Sequence, residues 1–105
     1  MMANDLTGNL RQMIAVLERE RQALASLDAD ELICSTRDKE SLCDILSPIT
    51  PDTLDSETRG LAETARQLNE VNRRVRNLLA ANIAARIDAL SGAAGHHRQA
   101  SFAHA

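Results

Sequence analysis

Apolar residues recur along this chain in steps of three and four. The longest run is Leu61, Ala65, Leu68, Val71, Val75, Leu78, Leu79, Ile83, Ile87 and Leu90. That spacing places them on one stripe of an α-helix. No Pro or Gly interrupts it, and Ser91-Gly92 supplies a C-terminal stop. An earlier stripe consists of Leu6, Leu10, Met13, Leu17, Leu24 and Leu27, close to a heptad, with Glu20 standing at one seam position. Around Asp28-Ala29-Asp30-Glu31 the apolar spacing slips, and it resumes with Leu32, Leu42, Ile45, Leu46 and Ile49. Two readings follow: one helix with a phase shift like a coiled-coil stutter, or a break near Asp28 that makes two shorter helices. The absence of Gly or Pro before Pro48 favours the continuous reading.

Ser47-Pro48-Ile49-Thr50-Pro51-Asp52 is the clear breaker. Thr50 followed by Pro51 suits an N-cap with proline at the first helical position, and Asp52 and Asp55 suit the positive end of the new helix. The pattern therefore predicts an all-α fold: a long antiparallel helical hairpin, coiled-coil-like, or a three-helix arrangement if the first helix breaks near Asp28. The expected domain is residues 1–92, with a helix over about 5–47, a loop at 48–51 and a helix over about 52–91. Residues 93–105 lack sustained apolar spacing and read as a flexible tail. In such a hairpin Leu78, Leu79, Ile83 and Ile87 make a stripe wider than one seam requires. The excess needs a cover: a third segment, a second copy or a client.

Composition narrows the core. Hydrophobic residues are 44% of the 105-residue chain, yet Phe102 is its single aromatic. A thin core of Leu, Ile, Val and Ala between helices follows. The net charge of −3 argues against a general nucleic-acid binder. Residues 1–52 hold five basic and ten acidic groups, and residues 53–105 seven basic and five acidic ones. That asymmetry favours antiparallel pairing of the halves through salt-screened electrostatics. Cys34 and Cys43 lie nine residues apart, about 13 Å along one helix, too far for a mutual disulfide. Free thiols suit a cytoplasmic location. The start MMANDLTGNL has neither the basic nor the apolar region of a secretory signal, and no apolar run approaches bilayer length.

Candidate chemistry is sparse. Asp28, Asp30, Glu31, Asp38, Glu40 and Asp44 alternate with polar residues and read as a solvated face rather than as general acids or bases. There is no Gly-rich phosphate loop, zinc-protease motif or nucleophile elbow, so no enzyme is expected. Cys34, Cys43, His96, His97 and His104 lack metal-ligand spacing, so no metal or cofactor is expected. Arg73-Arg74-Val75-Arg76 is the densest basic cluster, but Glu63, Asn69 and Glu70 beside it suggest a mixed solvated surface. Glu70 and Arg74 form a favourable i,i+4 pair. Asn72 and Asn82 lie close to the apolar seam, where Asn costs stability but fixes register and partner choice. The alternative for both is simple exposure beside the seam. Phe102 is either incidental or an aromatic anchor for a partner groove.

Several segments, in order, carry a resemblance. They are Leu17-Glu18-Arg19-Glu20-Arg21-Gln22-Ala23-Leu24, Asp28-Ala29-Asp30-Glu31-Leu32, Lys39-Glu40-Ser41-Leu42, Leu68-Asn69-Glu70-Val71-Asn72 and Ala89-Leu90-Ser91-Gly92. Over about residues 6–92 the chain resembles the FlgN family of bacterial flagellar export chaperones. The resemblance implies a cytoplasmic chaperone that holds hook–filament junction proteins by a C-terminal amphipathic segment. It also implies delivery of those clients to the membrane export gate of the flagellar type III system. The family's client surface lies on the C-terminal helix, which corresponds here to Val75, Leu78, Leu79, Ile83, Ile87 and Leu90. Family tails often carry a Tyr linked to gate docking. This chain has none, and Phe102 is the nearest candidate by position and ring, without the hydroxyl. The competing reading, from the residues alone, is a self-associating coiled-coil module that uses the same stripe as a homodimer interface.

Overall fold

A computed structural model describes residues 2–50, 52 and 54–94, with side chains from residue 6 to residue 92. The described chain is all-α. Helix α1 spans Met2–Ser26, α2 spans Ala29–Leu46 and α3 spans Ser56–Ala94. Of the two readings of the first half, the chain takes the break, and the arrangement has three helices. Of the expected tail, residues 93–94 are the last of α3, and residues 95–105, with His96, His97, Phe102 and His104, lie outside the described residues.

The break is made by backbone hydrogen bonding rather than by Gly or Pro. Leu27 sits at φ 56°, in the left-handed region. The N–H of Asp28 donates to Ala23 O at 2.9 Å, and the N–H of Leu27 donates to Leu24 O at 3.4 Å. This pair of reversed bonds is a Schellman close, which normally places Gly where Leu27 stands. Asp28 then starts the next helix. Its carboxylate accepts from the N–H of Glu31 at 3.0 Å, and its carbonyl accepts from Leu32 at 2.9 Å. Asp30 and Glu31 occupy the positive first turn of α2. One residue thus ends α1 and the next caps α2, so the reversal needs no longer loop.

The second connection is longer than the breaker predicts. α2 ends with the N–H of Ser47 on Cys43 O at 2.9 Å, and Pro48 follows. α3 starts at Ser56, and Asp55 caps it instead of Thr50. The Asp55 carboxylate accepts from the Thr58 backbone N–H at 2.8 Å and from the Thr58 hydroxyl at 2.7 Å. Thr58 is buried, so packing selects this cap over the Thr50-Pro51 alternative.

Two compact units divide the chain, Met1–Arg74 and Val75–Ala105. Within the first, Met13, Val16, Leu17, Leu42 and Ala65 form a common core, with Ile14, Leu46 and Leu68 packed against it. Leu10, Ala23 and Leu24 are buried as well. Contacts set the helix directions. Glu20 meets Lys39 at 2.9 Å, and the earlier α1 residues Met13, Ile14 and Leu17 share the core with the later α2 residues Leu42 and Leu46, so α2 runs antiparallel to α1. Arg19 bridges the pair, at 2.8 Å to Glu31 and 2.9 Å to Asp38. Arg11 meets Glu57 at 3.0 Å, and Glu20 meets Asn72 at 2.9 Å further along both helices. Residues 56–74 therefore run parallel to α1 and antiparallel to α2. The antiparallel partner that the charge asymmetry favours is α2 alone, because the reversal at Leu27–Asp28 turns the acidic half back on itself. In the second unit, the described residues continue as helix to Ala94.

The reversal generates a pair of opposed predictions. Leu27 is exposed, so Leu27→Gly relieves the left-handed strain without losing core packing. It should raise stability by about 0.5–1 kcal/mol in urea unfolding. Asp28→Ala should lower it by about 1 kcal/mol through loss of the cap.

Candidate interaction surface and a buried polar contact

α3 carries two kinds of surface in succession. In the first unit its buried residues are Thr58, Ala65 and Asn72, seven residues apart, with Leu61 and Leu68 half-buried. Val71 is 43% exposed and lies beside this seam, not in it. The heptad spacing is the signature of a helix that packs along one narrow seam.

Asn72 is fully buried. Its side-chain N–H₂ donates to Leu17 O at 2.8 Å and to Glu20 Oε1 at 2.9 Å. Both partners only accept, so the amide must face them with its nitrogen. Its Oδ1 is then buried without a hydrogen-bond partner among the described residues. Such an orphaned acceptor costs about 1–3 kcal/mol. Glu20 is 1% exposed, and its Oε2 accepts from Lys39 Nζ at 2.9 Å. Lys39 Nζ also donates to Asn69 Oδ1 at 3.2 Å. Two residues of α1, one of α2 and two of α3 thus share a polar contact at the seam.

This contact brings together residues from three of the sequence segments: Glu20, Lys39, and the Asn69/Asn72 pair. Asn72 occupies the seam, as one of its two sequence readings has it. Asn82 is exposed. Periodicity marked Glu20 as an intruder at a seam position, but no local signal paired it with Lys39 or Asn72. Those partners stand 19 and 52 residues away.

Beyond Arg74 the second unit presents the other surface. Val75 and Leu79 are half-buried, and Leu78, Ile83, Ile87 and Leu90 are exposed at 70%, 51%, 57% and 71%. No side chain described from Val75 onward is buried. All six stripe residues stand on one helix, and four of them present large apolar side chains to solvent. Surplus apolar surface of this kind marks an interaction site more often than chance exposure does.

The basic cluster is internally neutralised in part. Glu70 accepts from Arg73 at 2.6 and 3.0 Å and from Arg74 at 3.3 Å. Those bonds, Arg73 first and the two guanidinium charges with them, hold the Glu70 carboxyl at about 2. Glu63 likewise pairs with Arg66 at 2.6 Å. The mixed solvated face expected from the sequence is what forms. Cys34 and Cys43 are both exposed free thiols. Among the described residues, no group of His, Cys, Asp or Glu has metal-binding geometry. No helix among them is long and apolar enough to cross a membrane.

Together these features define a class: an all-α, three-helix module with a polar-pinned seam and an uncovered apolar stripe. No family model, curated protein or solved structure matches the chain.

Two predictions follow from this geometry. Glu20→Ala leaves Lys39 and Asn72 without their shared acceptor and should destabilise the fold by about 3 kcal/mol in chemical unfolding. The Glu70 carboxyl is depressed, so its ion pairs support α3 above pH 4.5 and are lost as pH falls from there through about 2. An NMR titration should place the Glu70 midpoint near 2, and Arg73→Gln should move it back towards 4.5.

Proposed function

We propose that the chain is a flagellar type III export chaperone of the FlgN type. It captures the C-terminal amphipathic segment of hook–filament junction proteins on Val75, Leu78, Leu79, Ile83, Ile87 and Leu90. The observation that carries this reading is the exposure of Leu78, Ile83, Ile87 and Leu90 on one uninterrupted helix. The mechanism is reversible helix-against-helix capture. A client helix lays its apolar face on the stripe. The client's own polymerisation surface is covered, and the client stays competent for export. Burying each Leu or Ile gains about 1.5–3 kcal/mol before ordering costs are subtracted. Two or three such side chains give useful affinity with ready release. Delivery from the cytoplasm to the membrane export gate belongs to the same reading, with Phe102 as the tail residue that docks.

Co-expression with junction proteins and pull-down tests the reading. The full chain should capture a junction protein. A chain ending at Gly92 should capture it equally and fail in export, if the tail docks the gate. Leu79→Asp and Ile83→Asp should each weaken capture at least about tenfold while circular dichroism stays helical, because the stripe supports no buried core. Failure of the intact chain to capture any junction protein would remove the chaperone reading. A tight dimer in light scattering that Ile83→Asp dissociates would favour the alternative, a self-associating coiled-coil module.

A further inference from the structure

The α1–α2 pair and the first half of α3 are held by different kinds of contact. α1 buries Leu10, Met13, Val16, Leu17, Ala23 and Leu24, and α2 adds Leu42. The two are also joined by the reversal at Leu27–Asp28 and by Arg19 on both Glu31 and Asp38. α3 brings to the same seam only Thr58, Ala65 and Asn72 as buried residues. Two of these are polar and one is a single methyl group. Its larger seam residues, Leu61 and Leu68, are half-buried.

We propose that residues 56–74 act as a strap that opens from a folded α1–α2 hairpin, with the Glu20–Asn72 contact as its latch. Opening changes the polar groups in an unequal way. Asn72 Oδ1, orphaned when the strap is closed, gains water when it is open. Glu20 loses Asn72 but keeps Lys39, because both belong to the hairpin. The closed seam thus carries a desolvated carboxylate and an unmet acceptor that the open state does not. A pair of apolar residues in those positions would hold the strap more firmly. The arrangement secures register at the expense of strength, and the result is a segment that opens below the global unfolding transition. Opening bares Leu61, Ala65 and Leu68 on the strap, and Met13, Leu17 and Leu42 on the hairpin. On the client-binding reading, which this inference does not require, that adds apolar surface for a client.

Native-state hydrogen exchange on the full chain without client tests the strap. Amides of residues 61–72 should exchange at least about tenfold faster than those of residues 10–24, with a smaller denaturant dependence. In the double variant Glu20→Leu/Asn72→Leu the strap amides should slow to the rate of the hairpin. Asn72→Leu alone leaves the Glu20 carboxylate buried without its amide partner, so it should speed strap exchange while the hairpin amides keep their rate, and it serves if the double variant fails to fold. Wild-type strap and hairpin amides exchanging through one common opening would overturn the strap. Apolar variants that fold and leave strap exchange unchanged would overturn the latch. Neither measurement depends on a client, so its failure is separate from failure of the chaperone reading.

Discussion

The contact between Glu20 and Asn72 is the constraint on which the first unit depends. A carboxylate with 1% exposure cannot be held without partners. The partners it recruits, Lys39 and Asn72, come from the two other helices. Sliding α3 by one turn would strand both the carboxylate and the amide. Apolar contacts along a heptad seam tolerate such slips far better, because Leu and Ala fit many neighbours. Register here is therefore set by two hydrogen bonds from Asn72, one to a side chain and one to the Leu17 carbonyl. The Leu and Met side chains of the core supply the burial that makes the register worth defining.

That contact also separates the two surfaces of α3. Up to Asn72 the helix spends its apolar positions on a seam. From Val75 onward, Leu78, Ile83, Ile87 and Leu90 are uncovered, although the residue types and spacing hardly change. Exposure, and not composition, is what sets the second stretch apart. The segments that carry the family resemblance divide the same way. Glu20, Lys39, Asn69 and Asn72 converge on the seam, which gives them a structural task. The client role proposed for the chain rests instead on the stripe beyond.

Charge acts locally throughout. Arg19 bridges two acids across the α1–α2 reversal, and Glu70 takes two arginines of its own helix. Exposed pairs of this kind contribute little each. They nonetheless absorb much of the basic cluster that would otherwise suggest an anionic ligand. They also account for where the acidic half goes: its excess lies on α2, capping and flanking the turn.

The sequence by itself determined the all-helical class, the long apolar stripe, the breaker at Pro48 and the i,i+4 pairing of Glu70 with Arg74. Each is a local matter of period, proline chemistry or one-turn spacing, so a linear string contains it. The break at Leu27–Asp28 was half legible. Asp28 with Asp30 and Glu31 is a sound helix start, but Leu27 in a left-handed conformation hides the preceding stop that Gly would announce. The cap at Asp55 was legible only as a charge near a helix start, because burial of Thr58 decides which start is used. Only the tertiary structure decided what Glu20 and Asn72 are for. Their contact joins residues 52 positions apart, and burial, which makes an acid and an amide seek each other, is a property of packed helices and not of a sequence.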